Sequence, residues 1–285
     1  MKKDSKIFKF IFLAPVIFYS LILILLPLIY IFFLSFCQND SYGGIIYNFT
    51  FQNYLDIFDI TYLKILLKSS LIAITATIIC ILISYPFALI LREKDEKIRN
   101  FATKLVMIPF LTNSLIRTYG WIVLLRKNGV INSSFLNLGL IDKPFNLMYN
   151  NLGIIIGMSY TLLPFMILPV CSAVFKIDNS IIEASRDLGA KPLQTFKYVI
   201  VPESLSGVFN GSLMVFIPAI GYFFIADILG GGKVMIIGNL IKNQFLTARN
   251  WPFGSAISIF LIVITFLLVK LYQKLGGNLD DLGGM

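Results

Sequence analysis

The residue types that most often carry catalysis or bind metals are scarce in this sequence. It contains no histidine, the commonest general base, so neither a histidine-dependent triad nor an HExxH zinc site can be built from it. Its three cysteines, Cys37, Cys80 and Cys171, lie far apart and form no CxxC pair, and we expect three free thiols. The sequence therefore predicts no catalytic residue and no metal site.

A glycine-rich stretch that ends in a lysine, residues 230–233, could be mistaken for a phosphate-binding loop. The Walker A pattern requires Ser or Thr directly after the lysine, and this chain has Val234 at that position. No ATP site is predicted in this chain, and energy for any active process must come from another protein.

Long apolar runs determine the fold class. Hydrophobic residues make up 57% of the 285 residues, against roughly 45 to 50% in soluble domains. A helix of about 20 mostly apolar residues spans the hydrocarbon core. We therefore predict an all-α, polytopic membrane protein of six transmembrane helices. Its spans are predicted at residues 10–36, 65–91, 101–125, 152–175, 204–226 and 251–269. The third span is the weakest, because Pro109 would kink it.

The distribution of Lys and Arg predicts the orientation. Fifteen lie in the two termini and in the second-to-third and fourth-to-fifth loops, against seven on the opposite side. By the positive-inside rule, both termini are cytoplasmic. The net charge of +9 forms short clusters and no stripe, so no nucleic-acid partner is expected. Residues 1–9 are predicted as a cytoplasmic tail, 10–274 as the membrane domain and 275–285 as a disordered tail.

The long fourth-to-fifth loop, residues 178–203, is predicted to contain two short helices. Asp178 supplies a capping side chain, and apolar residues follow at helical spacing up to a turn at Gly189. Pro192 suits the first position of a second helix, and Pro202 is expected to end it. Helices this short are marginal in water, so their apolar face must rest on the bundle, the lipid interface or another protein. The residues alone leave these possibilities open.

Part of this loop resembles the EAA motif of ABC importer permeases: EAA, three residues, a glycine, nine residues, then I-x-L-P. The match runs from Glu183 through Gly189 to Pro202 with the same spacing, and its departures are mild: Ser185, Val199 and Val201. The resemblance implies a coupling helix that inserts into a groove of a cytoplasmic ATPase. The residues expected at this contact are Glu183, Ala184, Ser185, Asp187, Leu188, Gly189, Ala190 and Pro202.

Similar stretches extend over nearly the whole chain, and together they resemble the B-type permeases of spermidine/putrescine ABC importers. These stretches are residues 116–121, 125–132, 218–221, 227–231, 237–241 and 249–254. The resemblance implies the type I importer permease fold in a bacterial inner membrane. It also implies a homologous second permease, two copies of an ATPase that hold ATP and Mg²⁺, and a polyamine-binding protein outside. No cofactor is expected in this chain. Permeases for other small organic cations or solutes share much of the pattern and remain the alternative.

One acid and several aromatic residues are candidates for a solute pathway: Asp227, Tyr222, Phe223, Phe224, Tyr160 and Trp121. A carboxylate with aromatic faces would suit an organic polycation through charge pairing and cation–π contact. Equally, Asp227 could be an interfacial acid among belt aromatics, and Tyr160 and Trp121 could be core or belt residues. Arg117 would repel a cation in the pathway, and we expect it instead to snorkel toward the outer interface.

Two other classes of function are open to a chain of this composition. A secondary transporter would be favoured by inverted repeats with broken helices, and the sequence shows no such repeat. A membrane enzyme would need acids, bases or metal ligands inside the bundle, where acids are almost absent. The importer permease therefore remains the preferred prediction.

Overall fold

The computed structural model describes residues 2–40 and 42–274, and nearly all of its regular structure is α-helical. The predicted disordered tail, 275–285, lies outside the described residues. The fourteen α-helices of the described residues are α1 (Lys2–Leu34), α2 (Gln52–Asp56), α3 (Ile60–Arg92), α4 (Glu96–Met107), α5 (Ser114–Leu125), α6 (Val130–Asn137), α7 (Asn151–Phe175), α8 (Asn179–Asp187), α9 (Pro192–Thr195), α10 (Val201–Glu203), α11 (Leu205–Gly221), α12 (Phe223–Gly230), α13 (Ile237–Leu246) and α14 (Trp251–Lys274). A two-residue antiparallel pair joins β1 (Gln38–Asn39) to β2 (Ile45–Ile46).

Four of the described helices are long and apolar enough to cross a membrane. They are Leu13–Leu34, Ile60–Arg92, Asn151–Phe175 and Trp251–Leu271. The segment Pro192–Glu203 and α11 together pass the same test but are bent by 66°. Within the described residues the structure therefore has four or five spans by length and composition, and the count of six stays a prediction.

Two predicted spans are interrupted in the structure. The third, predicted as one kinked helix, is divided into α4 and α5 by a 3₁₀ turn at Pro109–Leu111. Each half has 12 residues and rises only about 18 Å, less than the roughly 30 Å of the hydrocarbon core. Asn113 makes the break complete, because its side chain caps the start of α5. The fifth, predicted to continue to 226, is broken at Tyr222, where ψ is 67°.

The described residues form two compact units. One contains residues up to 63 together with 240–264, and the other contains 64–239 and the residues from 265 onward. In the first unit, buried Asn53 donates hydrogen bonds to the carbonyl oxygens of Ser35 and Cys37, at 3.0 and 2.8 Å. This unit holds the end of α1 against α2.

The core of the second unit is centred on α7. Its side chains Ile154, Met158 and Leu162 are fully buried. Helix α11 approaches it closely through Gly207, where an added Cβ would lie 2.5 Å from the Pro169 carbonyl oxygen. Small residues at a helix interface permit this approach, which is typical of packing inside membranes. The unit consequently holds α11 and α12 firmly against α7.

Candidate functional site

Helix α8 of the coupling loop, residues 178–203, is defined at both ends by local hydrogen bonds. The Asp178 carboxylate accepts from the Ser180 backbone N–H at 3.0 Å, which holds the pKa of this carboxyl below its usual value. At the other end, the N–H of Gly189 donates to the Arg186 carbonyl at 2.8 Å. The N–H of Ala190 donates to the Ser185 carbonyl at 3.0 Å. These two bonds form a Schellman motif that ends the helix at its predicted turn.

Gly189 adopts a left-handed backbone conformation, with φ of +84°. An added Cβ would meet no atom within 4 Å. The conformation therefore requires glycine or a residue that tolerates positive φ, while the space around it is open. Any steric need for a small residue here must come from a partner and not from this chain.

The second half of the loop is helical for longer than the sequence suggested. It begins at Pro192, continues through a π-helical turn, Phe196–Ile200, and ends at Glu203. The helix ends one residue beyond the stop predicted at Pro202. Pro202 lies in the first turn of α10, where a proline needs no backbone hydrogen bond to the preceding turn. The chain then bends at Ser204 into α11.

One face of the coupling loop is anchored to the second unit. Ile177, Ile182 and Ile200 are buried together, and Leu89 of α3 packs against them. The Arg92 guanidinium donates to the Ile177 carbonyl oxygen at 2.8 Å, and to the side chain of Asn179 at 2.8 Å. The loop is therefore fixed at its start to the end of α3.

A hydroxyl pair joins the two halves of the loop. The Ser185 hydroxyl donates to the Ile182 carbonyl oxygen at 2.8 Å and lies 3.0 Å from the Thr195 hydroxyl. Because the single Ser185 proton is used in the first bond, Thr195 donates in the second. Ser185, a departure from the motif, thus connects α8 to α9.

The exposed side of the loop carries two large apolar side chains among charged ones. Leu188 is 89% exposed and Leu193 is 81% exposed. Of the other predicted contact residues, Ser185 and Ala190 are half-buried, and the exposed ones are Glu183, Ala184, Asp187, Gly189 and Pro202. Large apolar side chains this exposed, on helices this short, require a covering surface, which is either the lipid interface or another protein.

The structure brings the predicted pathway aromatics together in pairs. Trp121 of α5 and Tyr160 of α7 meet edge to face, with ring centroids 5.2 Å apart. Tyr222 and Phe224, on either side of the start of α12, lie 5.1 Å apart. Phe223 is 41% exposed, although its ring also contacts Phe224. These pairs come from three helices that pack in the second unit.

Asp227 is half-buried and is held by α13. The Asn239 side chain donates to the Asp227 carboxylate at 2.6 Å and to the Phe223 carbonyl oxygen at 3.0 Å. Asn239 itself is buried. Asn239 therefore fixes the position of the Asp227 carboxylate near the helix break at Tyr222.

Arg117 lies among these aromatics, which the sequence reasoning missed. Its guanidinium carbon is 5.8 Å from the Phe110 ring centroid and 5.9 Å from that of Tyr160. The guanidinium lies beside Tyr160, which is nine residues, about 14 Å, inside α7. The expectation that Arg117 snorkels toward the outer interface stays a prediction. The spacing of Arg117 and Trp121, i and i+4 on one helix, was the available signal.

The arrangement of broken helices and an anchored loop of two short helices recurs in solved structures of ABC importers. Among solved structures, the chain is similar to a bacterial ABC transporter involved in the import of alginate, with a TM-score of 0.75, 16% identity and 96% of each chain covered. It is also similar to the MetNI methionine ABC transporter, with a TM-score of 0.54, 18% identity, and 75% of this chain and 93% of that chain covered. These likenesses confirm the predicted fold class.

The curated relatives identify the family. The spermidine/putrescine transport system permease protein PotB of Haemophilus influenzae is 41% identical over 274 residues, with 96% of each chain covered. PotB of Escherichia coli K12 is 40% identical over 262 residues, which cover 92% of this chain and 95% of that protein. A scan of family models gave no match. The chain belongs to the PotB family of ABC importer permeases. It is thus a transport subunit, and a separate ATPase hydrolyses the ATP.

Proposed function

We propose that this chain forms one half of a polyamine pathway across the bacterial inner membrane and couples it to an ATPase through the loop at residues 178–203. The exposed pair Leu188 and Leu193, on a loop whose other face is buried, is the observation that carries the coupling role. The PotB relatives, named for spermidine/putrescine transport, support the substrate class.

The partners of the proposed importer follow from its class. A homologous second permease completes the membrane domain, and two copies of a cytoplasmic ATPase bind ATP and Mg²⁺. A polyamine-binding protein delivers the solute outside. The alginate transporter relative supports this arrangement, since one of its structures is a complex with a periplasmic protein. Both termini of this chain lie in the cytoplasm, as the distribution of Lys and Arg indicates.

A continuous series of helices connects the proposed ATPase contact to the proposed pathway. The second half of the coupling loop, Pro192–Glu203, bends by 66° into α11. Helix α11 ends at the break of Tyr222, next to Phe224 and Asp227. When the ATPase dimer closes on ATP, movement of the loop would be transmitted through α11 as rigid-body motion of packed helices. The break at Tyr222 is where this motion reaches the aromatic residues.

The proposed pathway offers the chemistry that a polyamine requires. Spermidine and putrescine are chains of methylene groups that join charged ammonium groups. The rings of Trp121, Tyr160 and Tyr222 present faces for cation–π contact, and Asp227 supplies a negative charge. Another small organic cation could use the same groups, so transport measurements must discriminate between them.

The test is uptake of labelled spermidine and putrescine in cells that lack other polyamine importers, with the gene deleted and restored. We expect uptake to disappear on deletion and to return with the native chain. Gly189→Trp should insert in the membrane yet restore no uptake, because its side chain would block the ATPase contact. Gly189→Ala imposes the same strain at positive φ without the bulk and should restore more uptake than Gly189→Trp. Gly189→Asn, which tolerates positive φ, is the matched control and should restore most uptake.

Each outcome has a defined meaning. If deletion leaves polyamine uptake normal but abolishes uptake of another organic cation, the chain belongs to an importer of that cation and the proposed substrate is wrong. Full uptake by Gly189→Trp would contradict the coupling role of the loop.

A further inference from the structure

The guanidinium of Arg117 contacts the rings of Phe110 and Tyr160, and Trp121 packs against Tyr160. These three aromatic residues are called the aromatic cage. The Arg117 guanidinium carbon lies within 6 Å of the Phe110 and Tyr160 ring centroids, the range of a cation–π contact. Trp121 adds a third ring, edge to face with Tyr160. The cage thus already holds a cation that belongs to the protein.

The position of Arg117 is costly for a structural arginine. A charge in the interior of a membrane bundle is expensive unless it is well paired. The Arg117 Nε is buried, and within the described residues it has no hydrogen-bond partner. An arginine kept only for stability would be expected to find acceptors for its donors. The guanidinium is therefore held in part by ring contacts and not by a full set of hydrogen bonds.

We propose that Arg117 acts as a tethered substitute for the substrate: its guanidinium fills the aromatic cage of the empty importer, and an ammonium group of the polyamine displaces it during transport. This inference rests on the proposed function. The arginine side chain is long and flexible enough to leave the cage without movement of α5.

Displacement of Arg117 would favour cations that carry several charges over cations that carry one. A polyamine contacts the pathway through several ammonium groups at once, so its other contacts offset the cost of displacing Arg117. A cation with a single charge has only the cage contact to offer and competes with a guanidinium that is already in place. Arg117 would thereby exclude monovalent organic cations from a pathway whose aromatic rings would otherwise bind them.

The test uses the complete importer in proteoliposomes: both permeases, the ATPase and the binding protein. It measures ATP-driven entry of labelled spermidine and of labelled tetramethylammonium, the latter at a concentration at which calorimetry shows that the binding protein is loaded with it. Tetramethylammonium carries one permanent charge and suits aromatic cages. We expect Arg117→Met to raise the ratio of tetramethylammonium to spermidine entry about tenfold, within the range that one cation–π contact provides. Arg117→Lys, which keeps a cation, should stay closer to the native ratio.

Two features of the test separate this role from a structural one. The ratio compares two solutes in the same vesicles, so a lower amount of importer does not change it. Arg126→Met makes the same chemical change at an exposed arginine directly after α5, and it should leave the ratio unchanged.

The possible results all decide the question. An unchanged ratio in Arg117→Met, with spermidine still imported by the native complex, would overturn the proposal. Failure of both Arg117 variants to assemble would show that the guanidinium holds the fold, and would also overturn it. If the native complex imports no polyamine, the result contradicts the proposed function, and the inference about Arg117, which depends on that function, is contradicted too.

Discussion

The coupling loop and the aromatic cage both place large side chains where a partner molecule is expected, but they are constructed differently. The loop is formed by neighbours in sequence, with caps at Asp178 and Gly189 that connect residues two to five positions apart. The cage is formed by residues of a 3₁₀ turn, α5 and α7, which are up to 50 positions apart in sequence. A contact with another protein can be presented by a local unit, whereas a pathway for a solute requires several helices at one depth.

The largest effect is expected from the exposed apolar face of the loop. Changing Leu188 and Leu193 together to Asp should abolish association with the ATPase, because two desolvated leucines at an interface would be replaced by charges. Co-purification of the ATPase with the permeases measures this association.

Leu138→Asp is the matched control, since Leu138 is 72% exposed in a different loop. It should leave co-purification intact. If the double variant retained the ATPase as well as the control does, this face would not be the contact surface.

A smaller effect is expected in the aromatic cage. Tyr160→Leu removes a ring that contacts both Arg117 and Trp121, and it should lower spermidine uptake about tenfold while ATPase association stays unchanged. Tyr160→Phe keeps the ring face and should remain within about twofold of native uptake. Equal losses in the two variants would indicate that the hydroxyl, and not the ring, is the functional group.

A modest effect is expected from the hydroxyl pair that joins α8 to α9. Ser185→Ala removes both of its hydrogen bonds, and each typically contributes about 0.5 to 1.5 kcal/mol. The ATPase rate of the assembled importer should fall a few-fold at most. Thr195→Val tests the pair: the double variant should lose no more than Ser185→Ala alone, and fully additive losses would contradict a direct interaction.

The smallest effect concerns pH. The pKa of Asp178 is lowered because its carboxylate accepts the hydrogen bond that caps α8. A lowered folded-state pKa adds stability at pH values above the pKa of the unfolded chain, and this is lost as the pH falls through the folded value. Protection of the α8 amides in hydrogen exchange should therefore be constant near neutral pH and decline only in acid. Asp178→Asn should remove this acid-dependent decline, and a decline that persisted would assign it to another group.

The sequence predicted the local features of this protein well. The length of the apolar segments predicted the all-α membrane fold, because a helix must span a fixed thickness of hydrocarbon with apolar residues. The spacing from Glu183 to Pro202 located the coupling loop, and its capping residues lie next to the backbone groups that they satisfy. The likeness over nearly the whole chain gave the family.

Contacts between residues that are far apart in sequence became known only from the tertiary structure. Whether Pro109 kinks a helix or divides it depended on the cap at Asn113 and on packing against neighbouring helices. The partner of Asp227 is Asn239, twelve residues away across a helix break. Arg117 could be placed on one face of a helix from sequence, but the rings of Phe110 and Tyr160 reach it only after three segments pack. Sequence periodicity describes one element at a time, and only packing determines which side chains share a cage.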